Sequence, residues 1–305
     1  MEKYTLNSAR PGPRVLVLAG VHGDEYEPMI AALELVRIKA GELLQGSLTI
    51  VPVVNQSAYF SGSRYGTDGL DLARICPGRE SGTPSEHASF EVSELIKKAD
   101  YLIDMHTGGL MFDIYPLVGY MLHPDQQILN MQQQLAKASG LPLIWGTDYR
   151  PNGRTLSVAR DAGVPALYLE FGGGSGYRNT VVGDYVQAVK RILCYLGMLH
   201  FQTVIPQSTG AYWLEDHRPD SGYLQTMMPS PIDGIFSAQV DVGDFIDQDH
   251  LLGRVTDPLK NQTIDIKAPQ DGMVFLLRTL VGVKKGDALG GILPVKILNK
   301  KVVNE

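Results

Sequence analysis

The chain has 305 residues, 44% of them hydrophobic and 20% charged, with a formal net charge of −6. That length supports one large domain plus a smaller one, and the composition excludes a disordered or membrane-spanning chain. An acidic balance with no long basic run argues against binding of nucleic acid through its phosphates and for a small-molecule ligand.

The N-terminal stretch MEKYTLNSARPGPR lacks the basic start and apolar run of a secretory signal, which predicts a cytoplasmic location. Residues 14–19 (RVLVLA) read as a buried strand ending in Gly20. The loop GVHGDEYE follows, Pro28 suits the first turn of a helix, and MIAALELVRIKAG continues that helix to Gly41. SLTIVPVVN (47–55) predicts a second strand before a loop punctuated by Gly and Ser. A helix over about 85–98 leads into the strand YLIDMH, which ends at His106. PALYLEF (165–171) is a further strand running into Gly172, Gly173 and Gly174, and a helix over about 180–197 closes the region. Alternating buried strands and helices imply an α/β fold with a mostly parallel sheet flanked by helices.

From about residue 228 the texture changes to short strands, Gly-Asp turns and prolines. Pro231-Ile232-Asp233-Gly234 echoes in Pro269-Gln270-Asp271-Gly272, and Gly243-Asp244 in Gly286-Asp287, which predicts two interlocked hairpin units. The expected division is a catalytic domain over 1–200, with 201–305 supplying a linker and a smaller all-β domain. Cys76 and Cys194 are distant and form no CxxC pattern, so neither a disulfide framework nor a thiolate metal site is expected.

The chemistry concentrates at strand ends. His22 and Glu25, three positions apart on the loop after the first strand, can converge on one cation. Alone the pattern is weak, because a surface turn also places such residues in water. His106, followed by Thr107-Gly108-Gly109, also falls where a parallel sheet gathers its ligand-binding groups. Two imidazoles and one carboxylate make the open catalytic zinc set. Glu170, on an apolar strand, needs a partner or a task to offset its burial, and a base beside a metal is such a task. Asp104 shares a strand face with His106 and either orients it or pairs with an arginine. Arg154 is a candidate for reading a substrate side-chain or acyl carboxylate, the plain alternative being a solvated residue capping a helix start. Tyr177 follows the glycine run and either lines the pocket or lies on the surface. His87, His123, His200, His217 and His250 have no partner at ligand spacing and read as structural.

The set His22xxGlu25, the loop Asn55 to Gly78, the stretch Asp104-Met105-His106-Thr107-Gly108-Gly109 and Glu170-Phe171-Gly172-Gly173 together resemble the succinylglutamate desuccinylase and aspartoacylase family of the zinc carboxypeptidase clan. The resemblance spans essentially the whole chain. It implies one zinc ion per chain held by His22, Glu25 and His106, with Glu170 as general base and later proton donor. It further implies Arg64 as the group that polarises the scissile carbonyl, and Arg74, with Asn55 and Asp71 nearby, as the grip on a substrate carboxylate. One departure stands out. The family reads Asp-Leu-Asn-Arg where this chain has Asp71-Leu72-Ala73-Arg74, so a hydrogen bond to the carboxylate is missing and a changed specificity is implied.

The C-terminal module resembles the barrel-sandwich hybrid of biotinyl and lipoyl carriers. Its hairpin tip Asp257-Pro258-Leu259-Lys260-Asn261-Gln262 lacks the methionines that flank a modified lysine, so a structural role is expected, narrowing access to the zinc site or supporting homo-oligomer contacts. The resulting expectation is hydrolysis of a small N-acyl amino acid. The alternatives are a metallocarboxypeptidase acting on peptides and a noncatalytic or carrier-like member.

Overall fold

The computed structural model describes residues 1–174, 176–200, 212–224 and 227–297. Strands β1 (Tyr4–Asn7) and β2 (Arg14–Leu18) precede helix α1 (Tyr26–Val36), and β3 (Ser47–Val51) is followed by the short α2 (Gln56–Ser61). Next come α3 (Pro84–Ile96), β4 (Tyr101–His106), β5 (Phe112–Met121), α4 (Gln126–Ser139) and β6 (Leu143–Thr147). α5 (Thr155–Asp161), β7 (Ala166–Gly173) and α6 (Asn179–Tyr195) complete the helical part, and β8 (Tyr212–Glu215) stands alone after it.

These strands form one mixed sheet in the order β1-β3-β2-β4-β7-β5-β6-β8. β3, β2, β4 and β7 run parallel, β5 is antiparallel to β7, and β5, β6 and β8 are again parallel. The sheet is covered on both sides, which is why its strands read as continuous apolar runs. Val15 and Val17 of β2 pack into one core with Ala31, Leu35, Leu135 and Tyr185 of helices α1, α4 and α6. Leu16 and Leu18, pointing the opposite way, pack into the other core with Ala88, Val92 and Ile96 of α3 and Val158 of α5. Each such fully buried aliphatic side chain contributes roughly 1.5–3 kcal/mol.

Helix α1 ends earlier than Gly41. The N–H groups of Arg37 and Ile38 turn back onto Glu34 O and Leu35 O, three residues away, which tightens and stops the helix. α3 opens on a Thr83 and Glu86 capping box with Pro84 in its first turn. β1, β5, β6, β8, α2 and α4 have no counterpart among the expected elements, and β1, β5, β6 and β8 fill out the sheet, while the helix start weighed at Arg154 is that of α5.

The C-terminal part comprises β9 (Gly234–Ala238), β10 (Phe245–Ile246), β11 (Leu251–Asp257), β12 (Gln262–Lys267), β13 (Gly272–Arg278), β14 (Gly282–Val283), β15 (Gly290–Leu293) and β16 (Lys296–Ile297). Four of these form a second, antiparallel sheet in the order β12-β11-β9-β14. The two echoed segments interlock: β9 pairs with β14, and β13 pairs with β10. Their aspartates play matching parts, Asp233 Oδ1 accepting from Lys285 N at 2.7 Å and Asp271 Oδ1 from Gln248 N at 2.6 Å. β13 also pairs with β5, with Leu276 opposite Ile114, so the module continues the large sheet. The first part of the expected linker, residues 201–211, lies outside the described residues. Among the described residues no helix is long and apolar enough to cross a membrane.

Candidate metal centre and substrate pocket

Alternation along β4 and β7 sets the site. Leu102, Asp104 and His106 share one face of β4, and Ala166, Tyr168 and Glu170 share the same face of β7, on the side of α3 and α5. His106 and Glu170 are register neighbours at the carboxyl ends of these parallel strands. The loop after β2 brings His22 and Glu25 to them. It passes so close to α2 that a Cβ on Gly23 would lie 2.0 Å from Ala58 O, a clash with backbone that requires glycine there.

His22, Glu25 and His106 each offer a ligand atom within 4.8 Å of the others. His22 Nδ1 lies 2.6 Å from Glu25 Oε1 and His106 Nδ1 3.1 Å from Glu25 Oε2. The far nitrogens are held by aspartates: His22 Nε2 is 3.2 Å from Asp71 Oδ1, and His106 Nε2 is 3.1 Å from Asp104 Oδ2. A carboxylate on each Nε2 fixes the tautomer that carries its proton there and frees Nδ1 as a donor atom, the outer arrangement of a histidine metal ligand. The donor set and its geometry therefore fit a divalent cation of borderline softness. Burial acts to raise the Glu25 carboxyl, but the adjoining His22 and His106 outweigh it and hold the group well below the usual carboxylate range. Burial opposes the proton on His106, yet Asp104 and Glu25 hold it well above the ordinary imidazole value.

Glu170 keeps part of its surface open to the pocket, while dense surroundings and the nearby Glu25 push its carboxyl up to about 6. His106, Arg64 and His22 pull in the opposite direction without cancelling that rise. A carboxyl titrating there is suited to exchanging protons near neutral pH.

The pocket beside these groups is lined by Arg64, Arg74 and Arg154 together with His22, His106 and Glu170. Arg64 Nε donates to Asp71 Oδ2 at 2.9 Å. Burial lowers the proton affinity of Arg74, with Arg64 and Arg154 adding to the effect against Asp71. Arg154 sits at the start of α5, and its Nε and Nη2 are buried without a hydrogen-bond partner. Ala73, at the position of the family asparagine, also lines the pocket, and its methyl offers no hydrogen bond.

Other expected residues lie elsewhere. Asn55 is fully buried and caps α2, accepting from Ala58 N at 3.2 Å and donating to Ser85 Oγ at 3.2 Å, outside the pocket lining. Asp71 braces His22 and Arg64 and is absent from that lining. Tyr177 is half exposed and away from the pocket. Lys260 sits exposed on the turn between β11 and β12, 3.5 Å from Asp257. Sequence reasoning missed Tyr223, whose ring lies 4.3 Å from the Arg154 guanidinium carbon and 5.1 Å from that of Arg74. Nothing local marks it, since it falls in a stretch that reads only as a connection. It missed Tyr185 as well. That hydroxyl lies against the His106 carbonyl, 2.8 Å from Phe171 O, and accepts from Phe171 N at 3.1 Å.

The fold and site thus define an α/β protein with a candidate metal centre at the carboxyl ends of parallel strands. Residues 11–196 match the model of the succinylglutamate desuccinylase/aspartoacylase catalytic domain, and the chain belongs to that family. It is 27% identical over 289 residues to the N-alpha-acetyl-L-2,4-diaminobutyric acid deacetylase of Halomonas elongata, covering 93% of this chain and 83% of that one. A succinylglutamate desuccinylase of Burkholderia cenocepacia is 30% identical over 175 residues, 52% of this chain and 48% of its own. Among solved structures, the product-bound ectoine utilization protein EutE (DoeB) of Ruegeria pomeroyi superposes with a TM-score of 0.85 at 25% identity, covering 95% of this chain and 87% of that one. A succinylglutamate desuccinylase/aspartoacylase of Rhodobacter sphaeroides gives 0.86 at 24% identity, with 97% and 89% covered, and supports the fold.

Proposed function

We propose that this chain is a zinc-dependent deacylase that hydrolyses the amide bond of a small N-acyl amino acid. The observation that carries the reading is the meeting of a His22, Glu25 and His106 donor set with Glu170 in a pocket that also holds Arg74 and Arg154. The deacetylase and desuccinylase relatives support the reaction type.

Held by His22, Glu25 and His106, zinc would supply Lewis acidity, which brings the pKa of water from about 15.7 to roughly 7. Glu170 takes a proton from the attacking water as its oxygen bonds to the amide carbon. Arg64, anchored through Nε on Asp71, presents its remaining guanidinium N–H groups to the charge that develops on the carbonyl oxygen. Glu170 then returns a proton to the amine nitrogen as the C–N bond breaks, so water and amide become carboxylate and amine. Arg74 and Arg154 hold the substrate carboxylate, charge-assisted hydrogen bonds for which the guanidinium fork is suited. Gly222 and Leu224 close the pocket from the segment after β8, which favours a small molecule over a polypeptide.

The test is metal analysis together with amine release from a panel of N-acyl amino acids. One tightly bound zinc per chain, turnover of at least one compound, and loss of both in His22→Ala are expected. A zinc-loaded chain that hydrolyses none of them, or a His22→Ala variant with full activity, overturns the proposal. Arg74→Ala is expected to raise KM strongly for substrates with a free α-carboxylate and to change kcat little.

A further inference from the structure

Arg74 and Arg154 come from separate loops and are tied together at two levels. Their backbones meet at an isolated antiparallel bridge between Cys76 and Gly153, where Cys76 N donates to Gly153 O at 3.0 Å. A Cβ on Gly153 would lie 2.4 Å from Arg74 O, so the two loops are in direct backbone contact. Their side chains meet at Tyr223, with the guanidinium carbons of Arg154 and Arg74 over its ring, 4.3 and 5.1 Å from the centroid. The face of an aromatic ring is negative, so one ring attracts both guanidiniums and offsets the repulsion between them. Arg154 Nε and Nη2 are buried with no hydrogen-bond partner among the described residues, which leaves them for a ligand carboxylate in the pocket that both arginines line.

The turn that carries Tyr223 is latched to the residue directly after β6. Asp148, 3% exposed, accepts from Asp220 N on Oδ2 at 2.8 Å, and its own N–H donates to Ser221 Oγ at 2.7 Å. The Ser221 hydroxyl donates in turn to Asp216 O at 2.8 Å, and Tyr223 N donates to Asp220 O at 3.3 Å. None of these groups belongs to the His22, Glu25 and His106 donor set, so the latch can be altered without removing a ligand atom.

We propose that Tyr223 is a positioning residue that fixes specificity for a free carboxylate: its ring holds Arg74 and Arg154 together as one clamp for a carboxylate on the amine half of the substrate, and the Asp148 and Ser221 latch sets where that ring stands. This rests on the deacylase reading and deepens it. With Ala73 offering no hydrogen bond from its side chain, the two arginines carry the recognition. Their charge-assisted hydrogen bonds to a carboxylate are roughly twice as strong as those a neutral carboxamide accepts, so a preformed clamp separates an acid from its amide. Without the ring the two like charges repel each other and the clamp opens, which weakens binding of the acid and leaves the chemical step alone.

The experiment uses the zinc-loaded full chain with the N-acetyl derivatives of L-methionine, L-aspartate, L-glutamate and L-2,4-diaminobutyrate, and for each the form in which every carboxylate is a carboxamide. KM is measured for the acid and Ki for its amide as a competitor. Tyr223→Ala is expected to raise KM of the acid about tenfold, with kcat and the Ki of the amide changed by about twofold or less. Tyr223→Phe keeps the ring and is expected to restore the KM of the acid, while Ser221→Ala loosens the latch and is expected to raise it about threefold. Equal rises for acid and amide in Tyr223→Ala, or no rise in either, overturn the clamp and leave the deacylase reading standing. An equal loss in Tyr223→Phe and Tyr223→Ala overturns the part given to the ring, and a wild-type KM in Ser221→Ala overturns the latch. Tyr223→Leu gives the same readout if the alanine variant does not fold. Absence of turnover by the wild type with every acid overturns the deacylase reading and the inference together.

Discussion

His106 and Glu170 are paired by register on the adjacent parallel strands β4 and β7. Neighbouring strands lie about 4.8 Å apart, so the sheet itself spaces the proposed metal ligand from the proposed proton-transfer group. Replacing the base while leaving the ligand should therefore separate metal binding from turnover. Glu170→Gln is expected to keep its zinc and to lose about 10³-fold in kcat/KM, within the range for removal of a general base. The wild-type rate should also fall as pH drops through about 6, because the group acts only without its proton and burial raises it to that value. A pH profile of kcat/KM that stays flat from 5 to 8 would remove Glu170 from this role.

The same carboxyl has a stability signature in the metal-free protein. Its folded value of about 6 lies above its ordinary 4.5, so folding favours the protonated form. That contribution is fully present below pH 4.5 and is lost as pH rises through 6, a difference of roughly 2 kcal/mol. Glu170→Gln, neutral at every pH, should be more stable than wild type by up to about 2 kcal/mol at pH 8 and indistinguishable near pH 4. Denaturant titrations at the two pH values measure it, and an equal gain at both would contradict the linkage.

Asp104 is fully buried, receives the Thr155 hydroxyl at 2.5 Å and faces His106 Nε2. Asp104→Asn removes the charge that orients and polarises the imidazole, and should weaken zinc binding about 10–100-fold. Competition against a chromophoric chelator reads the affinity directly. Unchanged affinity would leave Asp104 with a purely structural part.

Tyr185, from α6, joins the carbonyl of a candidate ligand residue to the backbone next to Glu170, and its ring stacks on Phe171 at 3.8 Å. Tyr185→Phe preserves the stack and leaves the Phe171 N–H without this acceptor. The expected cost is about 1–3 kcal/mol of stability. Turnover should drop with little change in KM, because the bridge sets where ligand and base stand relative to each other. Equal denaturation midpoints and equal kcat would show that the bridge has no such effect.

Strand ends were the legible part of the molecule. β2, β4 and β7 announce themselves as apolar runs, and His22, Glu25, His106 and Glu170 fall beside their carboxyl ends, where the parallel sheet brings them together. The brace two positions away was legible, since Asp104 shares a strand face with His106, but the long-range ones were not, for a physical reason. Asp71 stands 49 positions from His22, and a loop and a turn rather than any periodic element bring them together. Tyr223 reaches Arg154 from a different part of the chain. β5 escaped detection too: it runs against its neighbour β7 with register shifts, and its Pro116 and Gly119 mask the strand pattern.

Continuation of the large sheet through β13 onto Phe112–Ile114 has an architectural corollary. The β module seals an edge that a shortened chain would leave open, with unpaired amides at Phe112–Ile114. A fragment ending after α6 should therefore be prone to self-association as well as deprived of Leu224 from its pocket. Recombination between relatives is then constrained, since a foreign β module would have to reproduce the contact at Leu276 and Ile114 before any substrate met the catalytic half.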